Sequence, residues 1–288
     1  MPIPEAQLER WSHQGAVTTA KQTHESIRNA LNQYEWPRGV NFEVYLQGSY
    51  KNDTNIRGDS DVDVVAQLNS TFSSNLTEDQ KRAFGFTKAG YGWQEFRADV
   101  LEALRGYYSY SQVQEGRKSI KVTTPCLRAD DDVCIQRREY AQPPRSHDNF
   151  VEGMTFYVPG EDRWVINYPK LHYDNGVKKH QATNSLYKPT VRLFKNARTY
   201  LIDRGDPKDL APSYFLECLI YNVPNVHYNG GFQDIFCNVV NWLLKADLDR
   251  LVCQNDQLKL FGTQPEQWSN DKAKRFLQSM VNLWKNWM

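Results

Sequence analysis

The sequence predicts an α+β protein in which an N-terminal lobe of strands and helices is followed by a helical C-terminal lobe. Three observations carry this: apolar residues at helical spacing near the N-terminus, alternating strand patterns at residues 42–67, and helical periodicity from Tyr187 onward. The lobes are placed at 1–180 and 181–288.

Val17, Ala20, His24, Ile27, Leu31 and Tyr34 recur at three- and four-residue steps, so residues 5–34 read as one long amphipathic helix. It must end before Pro37 and Gly39. Phe42 to Gln47 alternates as a short strand, Gly48-Ser49 turns the chain, and residues 60–67 form a second strand. Residues 69–79 are polar and read as a loop. Phe96, Val100, Leu101 and Leu104 mark a helix over 93–113, and residues 118–122 and 129–136 are further strand candidates. Gly205, Pro207, Pro224 and Gly230-Gly231 punctuate the helical part.

The 288 residues, 40% of them hydrophobic, suffice for one large core or two lobes. Lys plus Arg number 35 against 34 Asp plus Glu, which leaves no global field to attract nucleic acid or an anionic membrane. The five cysteines form no C-x-x-C or Cys/His cluster, so a reducing cytoplasmic setting is expected, without a disulfide framework or zinc site. No signal peptide or membrane-spanning stretch is legible.

Chemistry concentrates between Leu46 and Val65. Residues two apart on a strand share a face, so Asp61 and Asp63 project together while Val62 and Val64 pack behind. Paired carboxylates suit Mg²⁺, a hard ion that prefers oxygen ligands and retains waters. Phosphoryl transfer relies on such ions to neutralise a triphosphate and stabilise leaving pyrophosphate. Gly48 lets backbone approach a ligand, and Ser49 with neighbouring amides can donate to phosphate oxygens. An Asp-x-Asp alone describes many solvated strand edges, and a Gly-Ser alone many ordinary turns. Their joint occurrence is much rarer.

The segment Gln47-Gly-Ser-Tyr-Lys-Asn-Asp-Thr-Asn-Ile-Arg-Gly-Asp-Ser-Asp-Val-Asp-Val-Val65 resembles the signature of the polymerase-β-type nucleotidyltransferases, and more closely that of the bacterial CD-NTases, relatives of cyclic GMP-AMP synthase and the oligoadenylate synthetases. The resemblance continues through Ala129-Asp130, residues 166–170, 173–176, 187–188, 191–198 and 212–217. It implies a polymerase-β-like lobe with a mixed sheet, packed on a helical lobe. It also implies metal-dependent synthesis of a cyclic dinucleotide from two ribonucleoside triphosphates, with release of pyrophosphate, in bacterial anti-phage signalling. Mg²⁺ or Mn²⁺ would be the cofactor, ATP with UTP or GTP the substrates, and an effector that binds the cyclic product the downstream partner. Transfer of a nucleotide to a separate protein, RNA or small-molecule acceptor is the alternative chemistry of the same fold.

A third carboxylate completes the metal site in that family. Asp130 and Asp132 share one strand face and Asp131 the other; the resemblance selects Asp130, while Asp131 and Asp132 depart from the apolar residues expected there. Asp59 shares parity with Asp61 but follows Gly58 and reads as a loop residue. Lys188, Arg192 and Lys195 share a helix face. That face reads as solvated on its own; the resemblance assigns Lys195 to the donor triphosphate. Tyr214 reads either as a base-stacking ring or as a core tyrosine, and Ser213 as a helix N-cap. Asn167, on the strand-like segment 164–168, offers both donor and acceptor and matches the imide edge of uracil, so a pyrimidine-containing product is expected.

Animal relatives require bound double-stranded nucleic acid. Here the longest basic runs are pairs such as Arg137-Arg138 and Lys178-Lys179, so no obligatory nucleic-acid activator is expected. The expected state is a cytoplasmic monomer with no membrane partner.

Overall fold

A computed structural model describes residues 1–58 and 60–287. The chain divides into two compact units, each assembled from separated segments: Met1–Gly15, Lys51–Gly58 and Leu171–Met288 form one, and Ala16–Tyr50 with Asp59–Lys170 the other. This division differs from a single boundary at 180. Among the described residues, no helix is long and apolar enough to cross a membrane.

The expected N-terminal helix is in fact two, α1 (Glu5–Ser12) and α2 (Thr18–Asn32). The break has a physical reason. Ile3 and Leu8 are buried in the core of the helical unit, whereas Ala20, Ile27 and Leu31 are buried in the core of the sheet unit, so the two apolar stripes serve different cores. At the join, a Cβ on Gly15 would come within 2.8 Å of the Arg57 backbone, a closeness only glycine permits.

Among the described residues, the sheet unit holds seven strands. β1 (Phe42–Leu46) runs antiparallel to β2 (Val62–Ser74), and β2 runs parallel to β5 (Arg128–Tyr140). A parallel pair needs a crossover, which α5 (Trp93–Tyr108) supplies, preceded by the short α4 (Glu78–Ala83). On its other edge β5 pairs with β4 (Ile120–Thr123) along its first half and with β6 (Phe150–Val158) along its second. β3 (Val113–Glu115) extends β4, and β7 (Arg163–Asn167) extends β6. The sheet is therefore mixed. Phe96, Val100 and Leu104 of α5 and Ile27 and Leu31 of α2 join Val62, Val64 and Val65 in its core.

The sequence reading misses part of this. Residues 69–74 continue β2 instead of looping, because Asn69, Ser70 and Thr71 find partners there: Asn41 O accepts from both Asn69 N and Ser70 N, and Thr71 Oγ1 donates to Tyr91 O. Backbone amides and a hydroxyl satisfied in this way hold a strand whose polar residues leave no alternation to read. α4 is capped by a reciprocal Thr77–Gln80 box.

The helical unit comprises α1, α6 (Pro169–Ala182), α7 (Tyr187–Ile202), α8 (Ser213–Tyr221), α9 (Phe232–Lys245) and α10 (Asn270–Lys285). Its core stacks Phe194 of α7 on Phe236 of α9, with ring centroids 5.0 Å apart. Glu5 accepts hydrogen bonds from the amides of Phe232 and Gln233 at the start of α9, tying the N-terminal segment in.

Candidate active site

In the sheet unit, β1 delivers the chain to Gly48, which adopts a left-handed conformation at φ +65° and opens α3, a single helical turn over Gly48–Lys51. Gln47 N donates to Asp63 O at 3.0 Å, drawing this turn against β2. A Cβ on Gly48 would lie 2.0 Å from Asp63 Oδ2. The Gly48 backbone therefore rests directly on the carboxylate, and Ser49 follows it on the same turn.

Val62 and Val64 are fully buried and Asp63 is half-buried. Asp63 is paired in register with Asp130 of β5, and Asp130 in turn with Lys121 of β4. Asp61 lies one residue before β2 and is exposed. Asp59 falls outside the described residues. β5 alternates as expected: Asp131 is fully buried on one face, and Asp130 and Asp132 lie on the other.

Crowded carboxylates resist ionisation. Burial raises the Asp130 carboxyl above its ordinary range and Asp61 adds to the shift, while Lys121 and Ser119 oppose it. Burial pushes Asp132 up to about 8, reinforced by Asp63 and its own neighbours and opposed by a hydrogen bond from the Gln47 side chain. Burial likewise carries Asp131 to about 7 against the attraction of Arg97.

Among the described residues, no three His, Cys, Asp or Glu side chains converge into a closed metal cage. The donor set nevertheless fits a hard cation. It is all oxygen, its negative charges repel one another, and a glycine backbone is pressed against one of them. Mg²⁺ is ordinarily held by one or two carboxylates, with waters and substrate phosphates completing the shell.

Asn167 ends β7, opposite Met154 of β6. Its Oδ1 accepts from Tyr168 N at 2.8 Å, which fixes the plane of the amide.

In the helical unit the basic face of α7 is covered, not solvated. Lys188 Nζ pairs with Asp53 Oδ2 at 2.7 Å, and Arg192 donates to the carbonyls of Ser12 and Asp53. Lys195 is 2% exposed, and its ammonium is held by Glu217 and by Thr54, whose carbonyl and hydroxyl accept at 3.2 and 3.1 Å. Glu217 thus presents the opposite charge beside Lys195.

Tyr214 stacks on His172 with centroids 5.3 Å apart, and burial pushes its phenol far up. Its hydroxyl accepts from Asn255 Nδ2 at 3.4 Å. Ser213, expected as the N-cap, is the first residue of α8, and the cap position is Pro212; the Ser213 Oγ accepts from Arg198 Nη1 at 3.2 Å.

Sequence reasoning missed Glu217 as a hub. Its Oε1 accepts from Thr54 Oγ1 at 2.6 Å and from Lys195, and its Oε2 from Asn52 Nδ2 and interacts with His172 Nε2, both at 3.2 Å. Burial alone would raise this carboxyl, but Lys195 and His172 outweigh it and hold it far below the usual range. The signal was available: Glu217 is the one charged residue in the apolar helix Ser-Tyr-Phe-Leu-Glu-Cys-Leu-Ile-Tyr.

Residues 174–285 match the family of cGAS/DncV-like nucleotidyltransferase C-terminal helical domains. The whole chain aligns with the cyclic UMP-AMP synthase of Rhodothermus marinus at 64% identity over 287 residues, covering 100% of this chain and 99% of that protein. The chain belongs to the CD-NTases. This nucleotidyltransferase, an enzyme of the cyclic oligonucleotide synthase class, is also 37% identical to cyclic nucleotide synthase CdnE01 of Staphylococcus haemolyticus over the full length of both. The solved structure of the Rhodothermus marinus CdnE c-UMP-AMP synthase with Apcpp and Upnpp superposes with a TM-score of 0.98, covering 99% of this chain and 98% of that one at 64% identity. The CdnE cyclic dinucleotide synthase of Elizabethkingia meningoseptica, solved with GTP and Apcpp, matches with a TM-score of 0.78 at 29% identity, covering 97% and 98%.

Proposed function

We propose that this CD-NTase joins ATP and UTP into cyclic UMP-AMP, using divalent metal held by Asp61 and Asp63 with Asp130 as the third carboxylate. The observation that carries the chemistry is the contact between the Gly48 backbone and the Asp63 carboxylate, beside Asp130 in register. The choice of bases is supported by the 64% identical relative named for that product.

In each of two successive steps a ribose hydroxyl oxygen bonds to an α-phosphorus, the bond from that phosphorus to the bridging oxygen of pyrophosphate breaks, and the hydroxyl proton leaves to solvent. Bound Mg²⁺ or Mn²⁺ would supply charge neutralisation at the triphosphate and the leaving pyrophosphate. The chain's own part is placement. Ser49 and the amides of its turn donate to phosphate oxygens, the three aspartates bind the metal, Asn167 pairs with the uracil edge, and Tyr214 bears on a base.

Mass spectrometry after phosphatase treatment tests this, with each pair of ribonucleotides and Mg²⁺. The expected product is one phosphatase-resistant species containing U and A. Exclusively linear products, or label on an added acceptor, would favour the separate-acceptor chemistry. The protein is proposed to act as a monomer in the cytoplasm of a bacterium, in anti-phage signalling through an effector that binds the product. Purified enzyme should reach the same initial rate with and without duplex DNA or RNA at about 50 mM salt, where electrostatic binding is strong. A nucleic-acid-dependent rise that vanishes at higher salt would point to a basic surface around Lys178 to His180.

A further inference from the structure

Asn167 is the last residue of β7, so the ladder to Met154 fixes its backbone but not the chain that follows. The partner of its amide lies beyond the strand: Oδ1 accepts from Tyr168 N, whose direction is set by the turn from β7 into α6. Within the sheet unit that turn is pinned at two points. At the first, the Tyr168 ring and the Asn167 carbonyl lie against Gly153 of β6, where a Cβ would come within 2.7 Å of Tyr168 Cδ1 and 2.8 Å of Asn167 O. At the second, Lys170 Nζ bridges two carboxylates, Glu43 of β1 at 2.7 Å and Glu152 of β6 at 2.6 Å. Gln67 of β2 donates to the same two oxygens at 3.2 and 3.0 Å, which gives the clamp a fixed seat. Glu152 and Met154 are two apart on β6 and Met154 pairs with Asn167, so clamp and amide share one face of the sheet.

We propose that Lys170 and Gly153 are positioning residues for base selection, fixing the 167–170 turn so that Asn167 keeps Oδ1 on Tyr168 N and offers Nδ2 to a uracil carbonyl. This rests on the reading of Asn167 as a base contact. An amide carries a donor and an acceptor of nearly the same shape, and one free to turn over satisfies either kind of base edge. With Oδ1 committed to Tyr168 N it offers a donor, and a base that presents its own donor there leaves both unpaired. Neither Lys170 nor Gly153 needs to touch substrate. The ion pairs of Lys170 are partly open to water and add little to stability, so what the clamp supplies is an orientation.

The test measures the ratio of uracil to purine incorporation from mixed triphosphates in two variants. Lys170→Met keeps the stem and removes the clamp, and Gly153→Ala pushes on the turn at its other point. Each should lower the preference for uracil by about three- to tenfold, at most the worth of one hydrogen bond, with the loss in KM for UTP rather than in kcat. Lys170→Met should keep a Tm within a few degrees of the parent, and it carries the test alone should Gly153→Ala not fold. Combined with Asn167→Ser, Lys170→Met should cost no further selectivity, because it acts through that amide. Additive losses in the double variant, or an unchanged ratio in either folded single variant, would overturn the inference. In the free protein the Asn167 side-chain amide resonances should move in Lys170→Met, and resonances identical to the parent's would overturn it as well. If Asn167→Ser itself leaves the ratio unchanged while those resonances still move, the reading of Asn167 as a base contact fails and the positioning of its amide stands.

Discussion

The two units treat their acidic residues in opposite ways. In the sheet unit Asp63 stands in register with Asp130, and Asp130 and Asp132 are pushed toward neutrality by burial and by neighbouring carboxylates. In the helical unit one buried carboxylate, Glu217, is saturated by a lysine, a histidine, a threonine and an asparagine, and is held firmly ionised. Under the proposed function, the less paired negative charge is where a cationic ligand would bind, and the fully paired charge serves architecture. Burial differs as well, since Asp61 is exposed and Asp63, Asp130 and Asp132 are half-buried, whereas Glu217 is almost wholly removed from water.

The largest effect expected from breaking this contrast is on turnover. Asp61→Asn or Asp63→Asn removes charge at constant volume and should lower kcat at least ~10³-fold with the fold intact, checked by product formation alongside thermal unfolding. Because the change also relieves like-charge repulsion, Tm should hold or rise; a well-folded double variant with parental activity would remove these residues from the metal site. Glu217→Ala should do the reverse in kind. It strands a buried ammonium and should cost about 3–5 kcal/mol of stability, read as a lower denaturation midpoint at unchanged slope. A shift under 1 kcal/mol would show that Lys195 finds another partner.

Gly48→Ala falls between the two, since its Cβ would collide with Asp63 Oδ2 and its φ of +65° disfavours any side chain. Strain of about 1–2 kcal/mol is expected, with a loss of activity exceeding what that instability explains, measured as kcat per folded molecule. The smallest effect is on selectivity: Asn167→Ser should shift incorporation toward purines by a factor of about ten, the worth of one hydrogen bond in a buried pocket, as read from product ratios in mixed nucleotides. An unchanged ratio would take Asn167 out of the base pocket.

What the sequence makes legible follows from which forces are local. The opposite faces of Asp130 and Asp131 come from strand parity alone, whereas the association of Asp130 with Asp63 comes from the family resemblance; the structure alternates the first pair and sets the second in register. The split between α1 and α2 was hidden because both stripes share one helical period while serving different cores. The cover over Lys188, Arg192 and Lys195 was hidden for a related reason. Helix periodicity shows that cations share a face but not what lies on it, and the partners come from residues 12, 53, 54 and 217.

The interleaving of the units also bears on synthesis at the ribosome. Residues 1–15 emerge well before their packing partners, since Ile3 and Leu8 are buried against a core made almost wholly of residues from 187 onward. At translation rates of about 5–20 residues per second, this apolar segment must wait on the order of ten seconds or more for its partners. The sheet unit, complete by Lys170, has its whole sequence available sooner. A nascent chain stalled near residue 180 should therefore carry a folded sheet and an unsatisfied N-terminal helix, and it is this early segment that a chaperone would find exposed.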